Sequence, residues 1–303
     1  MDKNKSKLIE KNLASYSGGN PVSLDKEMEL IKKYNVDIVT IDDERYPENL
    51  KHIYSPPPVL YVKGNLLPED YYNIAIVGSR RASLYGRETA EKLARQLCGR
   101  GFTVTSGMAR GIDTSAHTGV LKAAGRTIAV LGCGINIVYP PENKNLMDKI
   151  ADSGAVISEF PINTTPHRHN FPIRNRIISG LALGVVIVEA AQKSGALITA
   201  SFALEQGREV FSVPGKVGVP TSRGTLGLIK EGAKLVEDVE DILEEIRSKP
   251  SAQATSRVRL GQAGTTTIPH PTREMVAGLT EDEASVFNSL SEEPKHIDEI
   301  KDI

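Results

Sequence analysis

A chain of 303 residues is long enough for one large α/β body with small additions at either end. With 37 Lys and Arg against 38 Asp and Glu the net charge is −1, so no global field attracts nucleic acid and any such binding must come from a local basic patch. Cys98 and Cys133 form no pair motif, no apolar run reaches membrane-spanning length and the charged start lacks a signal-peptide core, so a cytoplasmic chain with small buried thiols is expected.

Residues 1–20 are polar and are expected to be poorly ordered. Ser23, followed by Asp25 and Glu27, reads as an N-cap with an acidic first turn, opening a helix to about Tyr34. The segments 46–50 (YPENL) and 55–64 (SPPPVLYVKG) read as extended connectors, because each proline pushes its predecessor away from the helical region. From Asn73 to about Leu235 the pattern becomes strand, glycine, helix, repeated. Strands are expected over 74–77, 103–105, 127–131, 155–158, 185–189 and 210–213. Helices are expected over 85–98, 112–124, 144–151, 172–183 and 196–206, with Gly125, Gly154 and Gly207 suited to the left-handed position after a helix. The run 185–188 is apolar on both faces, as a strand covered by helices on both sides is. Six such units predict a doubly wound, mostly parallel sheet with right-handed crossovers. Beyond it, 236–247 reads as an acidic amphipathic helix and 248–271 as a flexible linker without periodicity. Residues 279–290, with a Thr280/Glu283 capping box, read as a helix, and a second begins near Glu293.

The first strand breaks into Gly78, Ser79, Arg80 and Arg81, and the second into Ser106, Gly107, Met108, Ala109, Arg110 and Gly111. A strand ending in small residues at the mouth of a helix leaves free N–H groups and the positive helix end facing one spot. Two such anion sites, carrying Arg80, Arg81 and Arg110, would sit side by side along the carboxyl edge of one sheet. Arg80 stands where a dinucleotide fingerprint needs its second glycine, so a nicotinamide cofactor is not expected; Gly132 and Gly134 read as a tight turn. The plain alternative for Arg80 is a surface arginine paired with a carboxylate; the uncovered donors of Gly78 and Ser79 favour phosphate.

Asp113 and His117 lie one turn apart and suggest an orienter and a base, but with no nucleophile elbow nearby they read as a cap and a surface-covering ring. Met108 reads as packing. The strongest basic cluster is 167–176, where Pro172 suits the first position of a helix ringed by Arg174, Asn175 and Arg176. There Phe171 either stacks on a base or anchors the core, and His167 and His169 lack partners at metal-ligand spacing, so no metal is expected. Glu189 ends the fifth strand, and Lys193, Ser194 and Gly195 have the geometry of a phosphate clamp at the next helix mouth; the alternative is a solvated loop lysine.

Five segments carry a resemblance: Val77 to Arg80; Ser106 to Asp113 with Ala116 and His117; Phe171 to Gly180; Lys193 to Thr199; and Val213 to Gly215. Together with Asp43, Pro47 and Leu50 and with Pro58, Leu60 and Tyr61, they resemble the DNA-processing protein A (DprA/Smf) family over about 36–245. The resemblance implies an extended Rossmann-like fold that binds single-stranded DNA, forms a homodimer and helps load a RecA-type recombinase onto incoming strands during natural transformation. It implies no catalytic turnover and no cofactor. Phosphate-binding roles carry over to Arg80 and Lys193 with their loop neighbours Gly78, Ser79, Ser194 and Gly195, and further to Ser106, Gly107, Arg110, Gly111, Arg174 and Asn175. The chain departs from the family in three places. Residues 1–40 are a reduced N-terminal helical segment ahead of the main domain at 41–247, and Leu226 stands where the family often shows Asn. After a linker at 248–278, residues 279–303 resemble an incomplete winged helix. The alternative is a nucleotide-processing enzyme similar to phosphoribohydrolases of related fold, using Glu159, Glu189 or Asp113; their Pro-Gly-Gly-x-Gly-Thr signature is absent.

Overall fold

The computed structural model describes residues 3–16 and 23–248; the expected linker from 249 and the segment 279–303 lie outside the described residues. The chain begins with α1 (Lys3–Tyr16), α2 (Leu24–Lys33), β1 (Asp37–Thr40), α3 (Glu48–Lys51), β2 (Val59–Gly64), β3 (Asn73–Val77) and α4 (Leu84–Gly99). It continues through β4 (Thr103–Ser106), α5 (Ile112–Lys122), β5 (Thr127–Val130), α6 (Lys144–Ser153), β6 (Ala155–Ser158) and α7 (Asn170–Leu181). Then follow β7 (Gly184–Ile187), α8 (Gly195–Glu205), β8 (Glu209–Ser212), α9 (Arg223–Lys230), β9 (Lys234–Leu235) and α10 (Val239–Ser248).

The strands form one nine-stranded sheet in the order β1-β2-β6-β5-β4-β3-β7-β8-β9. All pairs from β6 to β9 are parallel, while β1 and β2 add an antiparallel ribbon beyond β6. The sheet is therefore the expected mostly parallel, doubly wound one. From β3 the chain moves outward through β4, β5 and β6, then returns to place β7 on the other side of β3. In an open parallel sheet such a reversal leaves a crevice at the carboxyl ends of the two strands, here β3 and β7.

Alternation along β3 shows how the layers are fed. Ile74 and Ile76 join Leu93, Leu97, Ile112 and Val120 beneath α4 and α5. Ala75 and Val77 join Ile177, Ile178 and Leu181 of α7 on the opposite face.

Several expectations are corrected. The segment 55–64 is a connector only through its prolines, since β2 follows with Val59, Leu60, Tyr61 and Val62 all buried and pairs with β6. The prolines precede the strand and so remove no ladder donor. Within 46–50, Pro47 opens the single turn of α3, which buries Leu50. Residues 3–16 are not loose: Ile9 and Leu13, one turn apart, are buried with Ile31, Tyr61 and Ile150. α1 and α2 belong to the same compact unit as the sheet. The Ser23 side chain makes no cap hydrogen bond, and the buried Glu27 carboxylate accepts the Ile162 N–H at 2.8 Å. Gly207 does take the left-handed conformation, φ 67°, but after α5 it is Ala124 that does so, φ 51°, one residue before Gly125. Gly154 is extended, φ −161°; it is glycine because a Cβ there would lie 2.0 Å from the Thr127 carbonyl oxygen. No helix among the described residues is long and apolar enough to cross a membrane.

Candidate functional site

Three helices, α5, α7 and α8, and the loops ahead of α4 and α9 enclose one cavity of about 920 Å³ at the carboxyl edge of the sheet. Its wall comprises Gly78, Ser79, Arg80 and Arg81 ahead of α4, Ala109 and Asp113 at the start of α5, and Phe171, Pro172, Arg174 and Asn175 in α7. Ser194 ahead of α8, Gly195, Ala196 and Ile198 within it, and Thr221 ahead of α9 also line it. A helix start favours an anion, and at α4 the Glu189 carboxylate already fills that place.

The loop carrying Arg80 is held from beneath. Ser79 N–H donates to the Glu189 carbonyl at 2.8 Å, and the Glu189 carboxylate accepts the Ser83 N–H at 2.8 Å together with the Ser83 hydroxyl. Ser83 Oγ in turn accepts the Gly86 N–H, capping α4. Gly111 supports the same loop from the next strand's exit. Its φ is 77°, and a Cβ there would meet the Ser79 carbonyl oxygen at 2.2 Å.

The cationic side chains divide into committed and free. Arg174 is buried; its Nη1 donates to the Gly107 carbonyl at 2.8 Å and to the Val130 carbonyl, while its Nε has no partner among the described residues. Burial lowers its pKa to about 10, partly opposed by the nearby Asp113 carboxylate. Arg176 turns away to pair with the buried Glu159 at 2.6 Å, which also accepts the Tyr16 hydroxyl at 2.7 Å. Arg110 is exposed and paired with Glu142. Arg80, also exposed, makes no hydrogen bond or ion pair among the described residues, and its guanidinium lies 5.0 Å from the centroid of the Phe171 ring. Lys193 is exposed beside the rim and does not line the cavity, whereas Ser194 caps α8 by accepting the Ala196 N–H at 3.3 Å.

Ser106 is fully buried, and its hydroxyl donates to the Ile76 carbonyl at 2.6 Å, so it braces β4 against β3. Gly107 gives close access to Arg174, whose Nη1 would lie 2.5 Å from a Cβ at that position. Asn175 donates to the Gly195 carbonyl at 3.4 Å, tying α7 to α8. Of the residues singled out from sequence, Gly78, Ser79, Arg80, Arg174, Asn175, Ser194 and Gly195 thus share one wall. Arg110 and Gly107 line a small adjoining cleft with Tyr139 and Phe171. Arg168, Tyr139 and Thr221 also line the cavity. Arg168 belonged to the basic run at 167–176, whereas Tyr139 and Thr221 carry no local signal.

Asp113 and His117 form no relay. Asp113 accepts the Ala109 N–H at 3.3 Å, and burial pushes its pKa up to about 6 against the pull of Arg174 and Arg80. His117 is fully buried rather than a surface ring, with Nδ1 2.7 Å from Thr127 Oγ1. Because that hydroxyl gives its hydrogen to the Val104 carbonyl, Nδ1 must carry the ring proton, and burial holds the pKa down to about 3. Glu189 and Glu159 are likewise engaged, as cap and ion-pair partner. The rings of His167 and His169 stack on each other, their centroids 5.5 Å apart.

A crevice at the reversal point of a doubly wound sheet, lined by the starts of α5, α7 and α8 and by the exposed Arg80, Arg81 and Arg168, places the chain in the Rossmann-like class. Residues 37–247 match the family described as DNA recombination-mediator protein A, and the chain belongs to that family. The DNA processing protein DprA of Bacillus subtilis is 44% identical over 216 residues, covering 71% of this chain and 73% of that protein. Protein Smf of Escherichia coli is 44% identical over 226 residues, covering 74% of this chain but only 60% of its own length. The crystal structure of DprA from Streptococcus pneumoniae superposes with a TM-score of 0.69 at 38% identity, over 80% of this chain and 91% of that one. A Helicobacter pylori DNA processing protein A, described for its single-stranded DNA binding mode, gives 0.62 at 27% identity over 70% and 96%.

Proposed function

We propose that this chain is a single-stranded DNA-binding recombination mediator, a cytoplasmic homodimer that protects incoming strands and helps load a RecA-type recombinase onto them in natural transformation. The observation that carries the DNA-binding part is the Arg80 guanidinium, free of any hydrogen-bond or ion-pair partner among the described residues, at a cavity lined by the starts of α5, α7 and α8. That is a place prepared for phosphate. Family membership and the H. pylori relative's single-stranded DNA binding support the polymer over a mononucleotide. The dimer and the recombinase partner are taken from the family resemblance.

Binding of an unstructured oligonucleotide, titrated with salt, tests the reading. Its log-salt slope is expected to be about −0.7 per phosphate neutralised, and Arg80→Ala and Lys193→Ala are each expected to flatten it by roughly one contact for all sequences alike. Wild-type affinity and slope in both variants would place the phosphate contacts elsewhere. Mononucleotides competing as well as the oligomer would move the reading to a nucleotide site.

A further inference from the structure

Glu189, two residues past the end of β7, has its backbone in a conformation that L side chains rarely adopt, φ 144°. Strain of this kind persists only where the surroundings demand it, and it gathers at functional sites. The residue is 7% exposed, and its carboxylate makes no ion pair among the described residues. Its two oxygens instead take the Ser83 N–H, at 2.8 Å, and the Ser83 hydroxyl at the start of α4. Gly86 in the first turn leaves room for this, since a Cβ there would lie 2.6 Å from the carboxyl group. The helix start borders the cavity, because Arg81 ahead of it and Ala191 beyond Glu189 both line the wall. An open helix start offers its N–H groups to a phosphate; here a carboxylate of the chain itself lies on them.

We propose that Glu189 is a resident anion that keeps strand phosphates off α4. It confines the bound strand to the part of the cavity lined by the starts of α5, α7 and α8, and its charge holds the affinity down. The proposal rests on the single-stranded DNA reading and refines it: α4 positions the loop ahead of it without itself taking a phosphate. A brace for that loop needs only hydrogen-bond acceptors, which an amide also supplies. A resident anion needs the charge.

Glu189→Gln in the full chain keeps an oxygen for the Ser83 N–H and removes the charge. It is expected to bind oligothymidylate at least about threefold more tightly, with a log-salt slope steeper by about 0.7. Glu88→Gln removes an exposed charge farther along α4, and salt screens such a charge. It is expected to leave both affinity and slope unchanged. Equal or weaker binding by a folded Glu189→Gln protein overturns the resident anion. So does an equal gain from Glu88→Gln, which would reduce the effect to net charge. Both results leave the strand-binding reading standing, whereas failure of the unmodified chain to bind oligothymidylate at all overturns that reading itself. If Glu189→Gln does not fold, Gly86→Ala substitutes, because its Cβ pushes the carboxylate off the helix start while the charge stays in the chain. A steeper slope in that variant supports the resident anion, and an unchanged slope overturns it.

Discussion

Arg174 and Arg80 line the same cavity, yet removing them is expected to read out differently. Arg174→Met leaves the Gly107 and Val130 carbonyls without a donor, each a buried acceptor worth about 1–3 kcal/mol, so a loss of about 2–4 kcal/mol in chemical denaturation is expected. Arg80 is exposed and holds no hydrogen bond, so its removal is expected to change stability by no more than about 0.5 kcal/mol while weakening strand binding. The two buried titratable groups of α5 oppose each other in acid. His117, held neutral at a pKa of about 3, favours the fold above the unfolded value of 6.5, and that contribution is lost as pH falls below it. Asp113, raised from 3.8 to about 6, takes its proton earlier in the fold than in the open chain and so adds stability as pH falls through that range. Between pH 7 and pH 5 the second effect offsets much of the first. Asp113→Asn removes the offset, and this variant is expected to lose about 1 kcal/mol more than the parent over that interval, measured by denaturation at each pH.

At the scale of elements, the site is a stack of loops rather than a set of independent contacts. The turn ahead of α5 lies directly under the turn ahead of α4, with Ile112 N–H donating to the Ser79 carbonyl at 3.2 Å. Gly111→Ala forces a side chain into the left-handed region and against that same carbonyl. A loss of more than about 1 kcal/mol in stability is expected, because the native conformation is incompatible with a Cβ. Unlike a distant destabilising change, it is also expected to weaken strand binding under conditions where the chain stays folded, since the Arg80 loop must shift. Wild-type affinity in a folded Gly111→Ala protein would show that the loop's position is not set from below.

For the whole molecule, the described body ending at Ser248 contains every named residue of the cavity wall. A chain ending at residue 248 is therefore expected to bind an unstructured oligonucleotide within a factor of ten of the full chain; a larger loss, more than about 1.4 kcal/mol, would assign part of the site to the residues beyond. As a homodimer it would present two cavities, and longer strands are expected to gain affinity by bridging them without new contacts. Sedimentation at micromolar protein and a strand-length series check this together. A monomer mass with length-independent affinity would defeat it.

The repeated strand–glycine–helix pattern from β3 to β8 was legible in the chain alone. Each unit is contiguous, and a strand covered on both faces is apolar throughout. The loops at the helix mouths were legible for the same reason, because the Gly, Ser and Arg residues that form them are neighbours in sequence. The antiparallel ribbon of β1 and β2 was not, since a polyproline start hides a strand whose partner, β6, lies far along the chain. Nor was the docking of α1, a mostly polar helix whose Ile9 and Leu13 find their groove only once the sheet exists. Only the tertiary structure decided which arginine of the run at 174–176 faces what. Arg174 is consumed by carbonyls 67 and 44 residues away and Arg176 by Glu159, while the side chains of Arg80, Arg81 and Arg168 on the cavity wall make no hydrogen bond or ion pair among the described residues. A side chain's charge is written at its own position, but whether that charge is spent or available depends on partners that folding alone brings within hydrogen-bond reach.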